Sequence, residues 1–385
     1  MTDTPASPVM TVPPDASLLD AARAFARDPV ALLAPVWDRE RQVDPEAFAR
    51  AAALGLTGIQ VAPEHGGRGL GFATKVAVVE ALAAADFGFA MALVNTHNVA
   101  ALISRLPQPD LARRYLPDLL AARRLGCTAL TEPQAGSDFS AIATLATRVD
   151  GGWRIDGAKA WITNAAQADV VVLYAQTQPG SGARGIAGFL VDGRRQGFVR
   201  EVPYALAGQH TVGLGGFRLE GYRALDAELI HPPGRAFKAA LGSINQARTY
   251  LAAMCCGMVG QCIDIVRRHG EQRQAFGAAL ASHQGWRWRV AEAATELAAA
   301  CRLVEHAVGV IEQGGDAQLE AAQAKLFATR MAERQIPVLA QAMGAEGLRE
   351  QHPFSRHLQG ARMASLADGS SEMLLERICA LLRAA

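Results

Sequence analysis

The sequence predicts an α+β fold that is mostly α, in three parts: a helical N-terminal domain (1–125), a central β-domain (126–232) and a C-terminal four-helix-like bundle (233–385). Three features support this. Apolar residues recur at three-to-four spacing before residue 125, which is the period of a helix with one buried face. Between Gly126 and about Ile230 the texture changes to Val/Ile/Thr/Trp alternation broken by glycine turns, the period of strands. From about Ala236 long Ala/Leu-rich helical runs return. A chain of 385 residues is long enough to bury a large core and divide in this way.

The opening MTDTPASPVMTVPPDAS is polar and Pro-rich, without a basic-then-apolar leader pattern, and is expected to be a frayed lead-in. Asp44–Leu54 and Lys75–Ala85 are representative of the N-terminal helices. Between them lies Pro63-Glu64-His65-Gly66-Gly67-Arg68-Gly69, a glycine-rich loop that does not fit G-x-G-x-x-G and carries no dinucleotide fingerprint. In the β-domain, Thr147–Asp150 and Gly152–Asp156 flank Asp150-Gly151-Gly152, which is hairpin chemistry. Asp169–Tyr174 reads as a further strand and Gly180-Ser181-Gly182 as a turn. The C-terminal helices are expected at 238–269, 284–313 and 316–345, with a shorter one after Ser370 and a glycine stop at Gly314-Gly315.

Composition excludes several roles. Lys+Arg 38 against Asp+Glu 37 is a near-neutral balance, unlike the basic excess of a nucleic-acid or membrane-surface protein. No run of about 20 continuous apolar residues offers a bilayer span. The six cysteines form no CxxC pair and read as reduced, buried thiols, with a cytoplasmic location expected. The nine histidines show no metal spacing, and no metal is expected. There is neither a Ser-His-Asp order nor H-E-x-x-H.

The most informative stretch is 127–164, where Thr131-Glu132-Pro133-Gln134-Ala135-Gly136-Ser137-Asp138 precedes a hairpin that ends in Trp161-Ile162-Thr163. These motifs resemble the flavin-cradling region of the acyl-CoA dehydrogenase family, and the likeness covers nearly the whole chain. It implies that family's fold, with a barrel-like central domain, and an FAD cofactor. It further implies α,β-dehydrogenation of an acyl thioester on CoA or a carrier protein, an electron-transfer flavoprotein as acceptor, and a homotetramer.

Residue by residue, the resemblance assigns Thr128, Leu130, Thr131 and Gly136 to the cofactor cradle and Ser137 to FAD phosphate or the pantetheine arm. Trp161 would cover the ring, beside Ile162, and Thr163 would hydrogen-bond near it. The alternative is an ordinary β-turn, with Trp161 in the core. Arg273-Gln274-Ala275-Phe276-Gly277 with His283-Gln284 resembles the segment whose arginine reaches a neighbouring subunit's FAD pyrophosphate; guanidinium–phosphate pairing is charge-assisted. Gln341 and Gly344 resemble the adenine-side loop, with Ala345 in place of a second glycine.

Desaturating a thioester requires a base for the α-proton and donors for the developing thioester oxyanion. Most of the family has glutamate before Gly-Thr; the matching run here is Asp368-Gly369-Ser370-Ser371-Glu372. The branched-chain alternative, a glutamate just before an arginine in the first long C-terminal helix, is replaced by Ala247-Arg248. Asp368 is therefore the expected base, its carboxylate roughly 1.5 Å shorter in reach than glutamate's. The alternative reading makes Asp368 a helix N-cap. Glu372, four residues on in the same helical register, and Ser370 are assigned to FAD. Asn245, Arg248, Gly369 and Ser137 are assigned to substrate, while His97 and His210 read as structural.

Aspartate at the base suggests a cyclic, branched or otherwise unusual acyl group. It also opens a nitroalkane-oxidase-type reading, for which an arginine is expected where Leu375 stands. A DNA-associating relative would need a basic extension. Gln359-Gly360-Ala361-Arg362 departs from the family's usual Arg-Asp-Ala-Arg.

Overall fold

The protein is described by a computed structural model over residues 13–384; of the expected lead-in at 1–17, residues 1–12 lie outside the described residues, while its end is helical rather than frayed, because Asp15 caps α1 and Ala16-Ser17 open it. Helices α1 (Ala16–Phe25), α2 (Ala31–Glu40), α3 (Pro45–Ala53), α4 (Phe72–Ala83), α5 (Phe87–Ile103) and α6 (Pro109–Leu120) come first. Side-chain caps start them where the chemistry allows: Asp15 accepts from Leu18 N, Asp44 from Glu46 N and Asp86 from Phe89 N.

Eight strands follow: β1 (Leu125–Ala129), β2 (Leu145–Val149), β3 (Gly152–Ile162), β4 (Ala168–Gln176), β5 (Ile186–Asp192), β6 (Phe198–Arg200), β7 (Gly215–Leu225) and β8 (Leu229–His231). They form one sheet in the order β6-β7-β3-β2-β4-β5-β8, with β1 paired in parallel to β4. The β2–β3 hairpin turns through Asp150 and Gly151, the latter at φ +69, a conformation glycine adopts without steric penalty.

The C-terminal unit holds α7 (Ala236–Gln272), a small hairpin of β9 (Gln274–Ala275) and β10 (Ala278–Ala279), then α8 (Gln284–Glu312), α9 (Gln318–Ala342), α10 (Phe354–Leu366) and α11 (Ser371–Ala384). It has five helices where the sequence suggests four. The additional one, α10, buries Arg356 and His357 beside Phe354, Ala361 and Ala364, and those polar residues break its apolar period.

At 37 residues α7 is about 55 Å long. Its length and mean hydropathy would suffice to cross a membrane although it holds no run of about 20 continuous apolar residues, and 78% of its apolar window is buried inside the protein. It acts as the core's axis. Its packing on α4 is so close that a Cβ on Gly257 would lie 2.2 Å from the Glu80 carbonyl oxygen. One hydrophobic core joins α1, α3, α4 and α5 to α7, α9 and α10, so the two helical units share an interior, and a separate core fills the sheet.

Two buried polar ties fix the β-domain to the helices. Asn164, at φ +64, donates to the carbonyls of Ala92 (2.8 Å) and Gly126 (3.0 Å). Gln209 accepts from Gly88 N at 2.7 Å and donates to Arg356 O at 2.7 Å. Cys127, Cys255, Cys256 and Cys262 are buried free thiols, Cys301 is half-buried and Cys379 exposed.

Within the β-domain, the 130–144 loop is folded around one buried ion pair. Glu132 takes Lys159 Nζ at 2.7 Å, the amides of Ala143 (2.6 Å) and Thr144 (3.0 Å), and Gln134 Nε2 (2.7 Å). Lys159 also donates to Leu130 O at 2.9 Å. Burial opposes ionisation of Glu132, but the attraction and hydrogen bond of Lys159 prevail and hold its carboxyl below the usual range. Lys159→Met leaves that buried carboxylate without its cation, so a loss of about 3 kcal/mol in chemical-denaturant unfolding is expected; unchanged stability would show that the pair does not organise the loop.

Candidate active site

Between the end of α10 and the start of α11 the backbone makes a sharp reversal: Ala367 is extended, Asp368 lies at φ +53 and Gly369 at φ +101. A left-handed aspartate is an uncommon conformation that its surroundings must hold. They do so through three successive carbonyls. Arg248 Nε donates to Asp368 O at 2.9 Å, and Lys325 Nζ donates to Ala367 O and to Gly369 O, the latter at 2.5 Å. Lys325 is fully buried on α9 among Ala321, Ala322, Ala324 and Ala328. Gly369 has a second constraint: a Cβ there would lie 3.2 Å from an Arg248 guanidinium nitrogen.

The Asp368 carboxylate itself accepts no hydrogen bond and forms no ion pair among the described residues, and the Asp368 and Gly369 amides find no acceptor. Burial pushes its pKa up, while the positive charges of Lys325 and then Arg248 pull it back. Lys325 is in turn lowered to about 8 by burial, partly offset by Asp368. A half-buried, unpaired carboxylate beside two unpaired amides can take a proton from carbon and donate to an adjacent oxygen.

The N-cap position of α11 belongs to Ser370, whose Oγ is 3.5 Å from Met373 N, not to Asp368. The expected shared helical face of Asp368 and Glu372 is also corrected. Asp368 precedes the helix, and Glu372 is an exposed first-turn residue whose own amide and Ser370 hold its carboxyl low. Asn245 accepts from Arg248 at 3.2 Å, so the two residues assigned to substrate are joined.

At the other cluster, Thr128 sits on β1 and Leu130 and Thr131 open the 130–144 loop. Ala160 N donates to Thr131 O at 3.1 Å, which sets that loop against the end of β3, next to Trp161 and Thr163. The hydroxyls of Thr128, Thr131, Ser137 and Thr163 make no hydrogen bond among the described residues. Gly136 has open space where a Cβ would stand. Trp161 is not in the core: it is 59% exposed at φ +59, its ring centroid 4.6 Å from that of Tyr204, whereas Ile162 is buried. Free hydroxyls, an open glycine and an exposed indole on one rim are the donors and the flat surface that FAD requires, so the residues fit that cofactor.

The remaining candidates lie on the helical unit's surface. Arg273 is exposed and unpaired among the described residues, at the end of α7. Phe276, at the tip of the β9–β10 hairpin, is wholly exposed at φ +53 and meets the His283 ring edge-on at 6.2 Å. His283 bonds Ala275 O at 3.0 Å and Gln284 begins α8 exposed. Gln341 and Gly344 line a surface groove of about 430 Å³ with Pro337, Ala345 and Leu348. His97 is buried against Thr57 O, and His210 lies 3.1 Å from Asp38.

Three buried residues escaped sequence reasoning: Lys325 and Tyr250, both within the electrostatic reach of Asp368, and Lys75, which stands over the Tyr250 ring. The available signal was a lysine within an apolar helical face, as in AAQAKLFATR and FATKVAVVEALA.

Comparison with known proteins agrees with this architecture. Family models described as the N-terminal, middle and C-terminal domains of acyl-CoA dehydrogenase match residues 15–123, 127–222 and 234–382. The chain is 31% identical to an acryloyl-CoA reductase (NADH) of Anaerotignum propionicum, over 91% of this chain and 90% of that one. It is 29% identical to the rat mitochondrial short/branched chain specific acyl-CoA dehydrogenase, over 94% and 84%. Butyryl-CoA dehydrogenase from Megasphaera elsdenii superposes with a TM-score of 0.91 at 26% identity, covering 99% of this chain and all of that one. The chain belongs to the acyl-CoA dehydrogenase family and is an FAD-dependent oxidoreductase of that type.

Proposed function

We propose that this protein desaturates an acyl thioester at Cα–Cβ with Asp368 as the base. The observation that supports this is the Asp368 carboxylate, left unpaired although the buried Lys325 and the half-buried Arg248 stand beside it, because those cations bond backbone carbonyls instead. Asp368 takes the α-proton, and its own amide, with that of Gly369 beside it, donates to the thioester oxygen as negative charge builds there. FAD, when bound, supplies the acceptor for the β-hydride. Thr128, Thr131, Ser137 and Thr163 would hold that cofactor by their free hydroxyls, with Trp161 over the ring. Arg248 and Asn245 would orient the substrate.

Further parts of this reading rest on the resemblance. Arg273, Phe276, His283 and Gln284 would serve the FAD of a neighbouring copy in a homotetramer, and their exposure suits that role. Gln341 and Gly344, lining their groove, would take the adenine side, with Ser370 and Glu372 also near FAD. CoA or a carrier protein would bear the acyl group, and an electron-transfer flavoprotein would accept the electrons. The nitroalkane-oxidase-type alternative gains nothing from Leu375, an exposed apolar residue on α11 that offers no cation.

Anaerobic titration of the yellow protein with a panel of acyl thioesters is expected to bleach the flavin. Asp368→Asn should retain flavin and slow bleaching by ~10²–10⁴-fold, the usual contribution of a general base; full reductive activity in that variant would remove Asp368 from the mechanism. The pH profile tests the cations. Asp368 must be ionised, so kcat/KM falls as pH drops through its pKa. Lys325 opposes the upward push of burial, so Lys325→Met should raise that pKa and move the acid limb to higher pH, whereas Lys325→Arg should leave it nearly in place. A limb that stays or moves lower in the Met variant contradicts this electrostatic role.

A further inference from the structure

We propose that the acyl end of the site is a cationic subsite built on Lys75, which takes the carboxylate of an acyl group that carries one. This deepens the acyl-thioester reading and rests on it. Lys75 lies on α4, within FATKVAVVEALA, and is 3% exposed. Its ammonium makes one hydrogen bond, 2.6 Å to Asn98 Oδ1, and stands 5.1 Å from the centroid of the Tyr250 ring and 5.5 Å from that of Phe72. Two of its three donors have no acceptor among the described residues, and no carboxylate pairs with it.

The surroundings do not compensate the charge. Arg105 adds to the positive field, and His97 is kept neutral by burial and then by Lys75 itself. Glu80 is five residues on in the same helix, and its charged neighbours are Arg23 and Glu305. Burial, then Arg105, lowers Lys75 to about 7. Aromatic faces offset only part of the cost of an isolated buried ammonium. An incoming carboxylate would supply both the missing charge and the missing acceptors.

The position of this ammonium relative to the base gives it a substrate. Asn98 Nδ2 donates to the Tyr250 hydroxyl at 3.3 Å. Tyr250 stands two residues beyond Arg248 on α7, and its hydroxyl is kept protonated by burial and then by the negative charge of Asp368. Lys75, Asn98 and Tyr250 thus form a hydrogen-bonded line, and its Tyr250 end lies within the field of the Asp368 charge. An acyl group with its α-carbon at Asp368 and its chain along Tyr250 would end at Lys75.

The test uses the holoenzyme and two series of unreactive CoA thioethers of matched carbon number, one ending in methyl and one in carboxylate, with affinity measured by calorimetry. The expected result is a preference of about 10-fold or more for a carboxylate-ended analogue, the size of a charged hydrogen bond, and its loss in Lys75→Met with methyl-ended binding retained. Flavin content and thermal melting report whether the variant is folded. A wild-type preference for the methyl-ended series overturns the subsite without needing the variant, as does a preference that survives Lys75→Met. If neither series binds and no thioester bleaches the flavin, the acyl-thioester reading itself fails and the subsite with it.

Discussion

The candidate active site depends on two cations, the buried Lys325 and the half-buried Arg248, that bond to carbonyls rather than to a carboxylate. Lys325 and Arg248 together hold Ala367, Asp368 and Gly369 by their backbone oxygens, which keeps an aspartate in the left-handed region at the junction of two helices. Had either cation paired directly with the Asp368 side chain, the charge would be neutralised and its basicity towards carbon lost. Anchored to the backbone, the same charges moderate the effect of burial without occupying the carboxylate oxygens. Ionisation and availability are thereby separated.

The candidate flavin cluster uses a related device with a different outcome. Lys159, also buried, reaches a carbonyl, that of Leu130, but additionally neutralises Glu132, whose remaining capacity is filled by two loop amides. The Glu132 carboxylate at the centre of that loop is fully engaged, while the hydroxyls on its rim are left free. Family membership accounts for the three-part plan. The joint core of α4, α5 and α7 explains how elements far apart in sequence come to share one site.

Helix and strand periods and glycine turns made the three-part order legible, and the Thr131–Asp138 run with Trp161-Ile162-Thr163 pointed to a flavin. What escaped the sequence has a common physical origin. Lys325 and Lys75 are charged residues on otherwise apolar helical faces, and their partners are carbonyls, an amide and rings, which leave no complementary charge at helical spacing to find; Lys159 pairs with Glu132, but across 27 residues from a strand to a loop. Helix α10 escaped because Arg356 and His357 occupy its buried face. Asp368 as cap or proposed base could not be resolved from spacing alone, since both place an acid ahead of Ser371-Glu372; the backbone angle at Asp368 and the Ser370 hydroxyl remove the cap reading.

The most direct test of Asp368 as the base follows the α-hydrogen rather than the flavin. A thioester with sulfur at the β-position has an acidic α-hydrogen but no β-hydride to lose, so any exchange of that hydrogen into D2O, followed by NMR, reports proton abstraction alone. The account predicts rapid exchange with the holoenzyme and exchange slowed by about 100-fold or more in Asp368→Asn. Undiminished exchange in that variant, with its flavin retained, would contradict it.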